Sequence, residues 1–187
     1  MAEAYLEQKD WNTVKNLVVE DNLLQKNTVY TRKKLFKELT DRLKTLPEPL
    51  LAAIPVSNLK EIKLILFLAI CRYYRYIADF TVEALRTKVL LFDTRLTDLD
   101  YERFFESKYD HHPEMHRLTE QSLKNVRHKT FSILSQADIV SGKGERCIQI
   151  PLISNNLMKA VCRDNPNWLK VFLMSDADIE IAKRKFT

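Results

Sequence analysis

Only two of the chain's 187 residues are glycine, Gly142 and Gly144, and both lie in one short turn. Glycine is the residue that enters left-handed backbone at least cost. A chain with so little of it has few places for tight turns. With six prolines besides, this argues for helices over sheets and loops. The turn lies in DIVSGKGERCIQI. Ile139 and Val140 can begin one strand, and Cys147, Ile148 and Ile150 can build the other, so the glycines mark a hairpin tip spanning Gly142 to Gly144. Lys143 and Arg146 are placed to reach a phosphate backbone.

The stretch before the hairpin supplies the context. Residues 113–150 read as a short helix, a tight turn, a long basic helix and then strand–turn–strand, the order in which a winged helix-turn-helix ends. The long helix is predicted to start near Thr119, whose hydroxyl can cap it, with Glu120 against the positive helix end. Leu123, Val126, Thr130, Ile133, Leu134 and Ala137 recur at helical spacing as a buried face. Lys124, Arg127, His128 and Lys129 fall mostly outside it, a row that can meet phosphates and base edges in a major groove. The plainer reading is an amphipathic helix with a solvated basic face.

The formal charge is +5 and the isoelectric point about 9.0, mildly basic, which permits a polyanionic partner without requiring one. Three widely spaced cysteines, Cys71, Cys147 and Cys162, and a polar, charged start predict a reduced, cytoplasmic setting. The longest apolar run, Leu64 to Ile70, is far short of the roughly 20 residues a bilayer requires, so no membrane span is expected. With both glycines in one hairpin, no phosphate-cradling glycine loop or dinucleotide fingerprint is possible. No nucleophile or metalloprotease motif is present, so no enzyme and no cofactor is expected. His112 and His116 are four apart, but Pro113 suits a first helical position and leaves His112 at or before the cap, so no metal is expected.

The first half reads as helices. Trp11, Val14, Leu17 and Val18 form one apolar stripe, and Leu35, Leu39 and Leu43 form another, capped by Thr28 or Thr31. From Lys26 to Lys44 the chain carries a local charge of +5, with Arg32, Lys33 and Lys34 in a first helical turn. Cations there oppose the helix dipole, so this is either a phosphate-binding helix start or an unused surface. Pro47, Pro49 and Pro55 punctuate a connector before an apolar core helix capped by Ser57 or Asn58. Trp168, Val171, Phe172 and Leu173 read as an apolar plug. The expected division is a helical domain over 1–108 and a winged-helix-like domain with a helical extension over 109–187.

Four stretches carry a resemblance: TVYTRKKLFKELTDRL, LAICRYYRYIADFTVEAL, HPEMHRLTEQSLKNVRHKTFSILSQADIV and NWLKVFLMSDADI. Together they resemble the BrxA family of bacterial BREX phage-defence systems over nearly the whole chain. The resemblance implies a mainly α protein, with an N-terminal part similar to the antitermination protein NusB and a winged-helix C-terminal part. It also implies double-stranded DNA binding, without catalytic residues to carry over. The expectation is a non-enzymatic DNA-binding accessory protein, monomeric, possessing two basic patches: Arg32, Lys33 and Lys34 in one, and Lys124, Arg127, His128, Lys129, Lys143 and Arg146 in the other. The rival expectation is an adaptor that docks other BREX proteins through its winged helix, which the apolar C-terminal plug and the modest net charge fit equally well.

Overall fold

A computed structural model describes residues 1–142 and 145–186, apart from the side chain of Glu114. Lys143 and Gly144 therefore lie outside the described residues. The chain is mainly helical with a small antiparallel sheet, and it divides into two compact units, Met1–Tyr73 and Tyr74–Thr187. The division expected at 108/109 thus falls inside the second unit. The reason is that the helical segment from Arg75 to Leu90 finds its packing partners further along the chain, in Asp98–Tyr109 and Pro166–Phe172.

The first unit holds α1 (Ala2–Gln8), α2 (Trp11–Val19), α3 (Val29–Leu43), α4 (Glu48–Ala53) and α5 (Leu59–Tyr73). Its helix starts follow the capping chemistry of the sequence. Asp10 accepts from the Asn12 and Thr13 amides, Thr28 from Thr31, and Asn58 from Glu61. α2 packs on α3, and α3 on α5, burying Val14, Val18, Leu43, Ile65, Phe67 and Leu68. The apolar run of the sequence is therefore the core helix it was expected to be. Among the described residues no helix is long and apolar enough to cross a membrane.

The second unit begins with α6 (Arg75–Asp79), a π-helical segment (Phe80–Arg86) and α7 (Thr87–Leu90). Then come β1 (Arg95–Leu96), α8 (Asp98–Tyr109), a 3₁₀ turn (Pro113–Arg117) and α9 (Glu120–Gln136). β2 (Val140–Ser141), β3 (Arg146–Ile148), α10 (Asn155–Asp164), a 3₁₀ segment (Pro166–Phe172) and α11 (Asp176–Phe186) complete it. Pro113 stands at the first position of its turn, as expected. The sheet has order β1-β3-β2, with Arg95 opposite Cys147 and Val140 opposite Ile148. Here the sequence reading is corrected: it expected a two-stranded hairpin, and a third strand, β1, pairs on its far side. Two residues are too short for a visible alternation, and the strand exists only through its distant partner.

The aromatic core gathers around Phe80. Its ring lies 5.4 Å from Tyr101, 5.0 Å from Phe104 and 6.2 Å from Phe131, so α8 and α9 are both seated on the π segment. The Tyr76 and Tyr101 hydroxyls meet at 3.0 Å, which gives the half-buried Tyr76 and the buried Tyr101 a partner. The C-terminal plug closes the unit from another side, with Val171, Phe172 and Leu173 buried and α10 and α11 packed around it. Trp168, the remaining member of the plug, is half-buried.

Arg86 ties the π segment to this plug. Its Nε donates to the Met174 carbonyl at 2.6 Å, and Nη2 lies 3.0 Å from Asp176 Oδ1, close enough for an ion pair though not aligned as a hydrogen bond. Asp176 is 69% exposed, so the pair itself contributes little. The carbonyl bond matters more. Arg86→Met keeps most of the side-chain volume but removes the donor, and is expected to cost about 1.5–3 kcal/mol in a denaturant melt.

Candidate nucleic-acid interface

α9 forms as expected. Thr119 caps it by accepting from the Ser122 amide, and Glu120 occupies the first turn. Thr130, Leu134 and Ala137 are buried, while Leu123, Val126 and Ile133 are half-buried. A second stripe, Lys124, Arg127, His128, Phe131, Ser132, Ser135 and Gln136, repeats at three- and four-residue spacing along another face. With Val140, Gly142 and Arg146 of the hairpin, it lines an open groove of about 590 Å³. Lys124 and His128 are exposed along it, and Lys129 is exposed one step off the stripe.

Gly142 makes the hairpin turn possible. Its φ is +88°, and a Cβ there would sit 2.1 Å from the Glu145 carbonyl oxygen, so a side chain is excluded by strain and by space. The fold thus brings Lys124, Arg127, His128 and Arg146 to one groove.

The arginines are not the free cations that were expected. Arg127 Nη2 lies 2.6 Å from Asp98 Oδ1, and its Nη1 lies 3.6 Å from Glu102 Oε1. Arg146 Nη1 donates to the same Asp98 oxygen at 2.6 Å. The Arg146 guanidinium stands 4.1 Å from the centre of the Phe131 ring, and that of Arg127 stands 5.6 Å from Tyr101. One carboxylate at the start of α8 therefore joins helix α9 to strand β3. This corrects the expectation that Arg127 faces solvent freely. Lys124 carries only a surface pair with Glu120.

Asp98 went unnoticed in the sequence, although a local signal was present. Thr97 and Asp100 form a reciprocal capping box, and TDLD ahead of an apolar run is its signature. The box fixes the start of α8, and so the place of Asp98. Hydrogen bonds from Arg127, then Arg146, hold the Asp98 carboxyl below the usual carboxylate range. A group depressed in the folded state stabilises the fold above its unfolded pKa of about 3.9, and that contribution is lost as pH falls through the lower folded value. Thermal stability is thus expected to hold from neutral pH down to about pH 4 and to fall below it. Asp98→Asn should flatten part of that acid limb in a pH series of melting curves.

The first unit's basic cluster divides. The Arg32 guanidinium donates to the Val19 carbonyl and lies 3.5 Å from the Glu20 carbonyl oxygen, so it closes the C-terminal end of α2. Lys33 and Lys34 are exposed. The His111 and His116 rings bond to the Ser107 and Tyr109 carbonyls, and among the described residues no cluster could hold a metal ion.

The family model described as BrxA matches residues 1–165. The chain belongs to the BrxA family. A relative outside this chain, the BREX protein BrxA of Bacillus cereus (strain H3081.97), is 26% identical over 149 residues, covering 79% of this chain and 74% of that protein. A crystal structure of an uncharacterized protein from Magnetospirillum magneticum superposes with a TM-score of 0.77. It covers 92% of this chain and 88% of that one at 16% identity, a likeness of fold. The BrxA fold of this chain thus recurs in a protein with little sequence in common.

Proposed function

We propose that this BrxA-family chain is a non-enzymatic DNA-binding component of a BREX phage-defence system, acting through the groove between α9 and the β2–β3 hairpin. The second unit is read as a winged helix-turn-helix. Its support is the order helix, β1, α8, α9, β2, β3 together with the strand order β1-β3-β2, which puts a wing directly beside the long helix. The first unit is read as the NusB-like half. The observation that carries the functional reading is the exposed Lys124, His128 and Lys129 on one helix, next to a hairpin whose turn requires glycine.

Such a surface makes mainly phosphate contacts, so binding is expected to be salt-dependent and weakly sequence-selective. The test is a salt titration of a fluorescent duplex against the parent protein, Lys124→Ala and Lys129→Ala. Each phosphate contact removed should lower the slope of log affinity against log salt by about 1. An affinity that ignores salt, or slopes unchanged in both variants, would set the reading aside. The adaptor reading has one observation of its own, the exposed Leu91 and Phe92, 73% and 97% accessible, at the turn before β1. It predicts salt-insensitive capture of another BREX protein, abolished by Phe92→Ala.

A further inference from the structure

The two arginines of the groove are occupied by the protein's own carboxylates. Asp98 Oδ1 accepts from Arg127 and Arg146 together, and Glu102 faces the other Nη of Arg127. Both arms of the Arg127 fork are thus directed at acids. The carboxylates are not buried: the side chains of Asp98 and Glu102 are 57% and 53% exposed, against 33% for Arg127 and 24% for Arg146. Carboxylate and phosphate compete for the same planar guanidinium geometry. Ion pairs this exposed are weak and exchange readily. Near these four side chains the charges cancel, which leaves Lys124, in a still more exposed pair with Glu120, along the groove and Lys129 one step off it as the more available cations, with His128 a polar neighbour.

We infer that Asp98 and Glu102 are a built-in stand-in for phosphate, which holds Arg127 and Arg146 in reserve until a duplex displaces it. The inference rests on the DNA-binding reading of the groove. It separates the basic and polar residues by role: Lys124, His128 and Lys129 meet the duplex first, and the arginines engage only where a phosphate outcompetes the acids. The aromatic rings keep both guanidiniums in place when the carboxylates let go. The acids therefore set a threshold on binding, instead of adding to it.

The test is duplex binding across a salt series by the parent, Asp98→Asn, Glu102→Gln and the double variant, each with a melting curve. Glu102→Gln leaves the Asp98 bridge standing, so it reports even if Asp98→Asn weakens the fold. Affinity is expected to rise by about eightfold at 0.1 M salt for each phosphate that a released arginine reaches, because it scales with salt to a power of about −0.9 per phosphate. The slope should steepen by about 1 for each such phosphate. A parent that barely binds beside a double variant that binds well supports the same conclusion. If the parent binds and folded variants bind no better, the stand-in is overturned while the DNA reading survives. If neither parent nor variants bind at low salt, both fall.

Discussion

Replacing Phe80 by alanine is expected to cost the second unit about 3–5 kcal/mol, the largest effect of any single change considered. Phe80 is fully buried, and Tyr101, Phe104 and Phe131 all contact its ring. Truncation removes the transfer energy of the ring and leaves a void that three rigid aromatic neighbours cannot collapse to fill. Two of those neighbours belong to α8 and one to α9. The groove should therefore lose definition along with stability, because Arg127 is supported by Tyr101 and Arg146 by Phe131. A denaturant melt gives the energy. Near-ultraviolet circular dichroism of the folded variant shows whether the aromatic cluster has loosened. A loss below about 1 kcal/mol would mean that Phe80 is not the centre of this packing.

Leu134→Ala is expected to cost about 2–5 kcal/mol. Leu134 is fully inaccessible on the inner face of α9, and its carbonyl accepts from the Ile139 amide where the chain turns toward β2. Its weakened duplex binding should follow the fraction unfolded and disappear as a separate effect once corrected for it. Lys129→Ala makes the opposite prediction. Lys129 is exposed, so its loss should move stability by no more than about 0.5 kcal/mol and yet weaken duplex binding. Arg127→Ala lies between the two, because the Asp98 and Glu102 pairs give it structural work that a free surface arginine would not have. Stability and binding isotherms at one fixed salt separate all three. If Leu134→Ala and Lys129→Ala give the same pattern, α9 does not have two distinct faces.

The contrast among these residues also marks what local sequence carries. α9 was legible because its cap, its apolar period and its basic row all lie within one stretch of chain. The hairpin was legible because glycine is so scarce here that its placement at 142 carries meaning. β1 was not, since two residues have no period and their pairing with Arg146 and Cys147 is made across half the second unit. The Asp98 bridge was invisible for a similar reason: Arg146 is 48 residues away, and nothing near either residue names the other. Arg32 read as part of a cationic cluster, and its use at the end of α2 appears only when two helices meet. Long-range pairings of charge were hidden, and they decide which of the basic residues are available to a ligand.

The most direct measurement is an isotope-labelled amide titration of the full chain with a short duplex at low salt. The proposed groove predicts shifts at Lys124, His128 and Lys129 on α9 and at Gly142 and Arg146 on the hairpin, with α10 and α11 undisturbed. Shifts confined to the Leu91–Phe92 turn, or no shifts at saturating duplex, would contradict it.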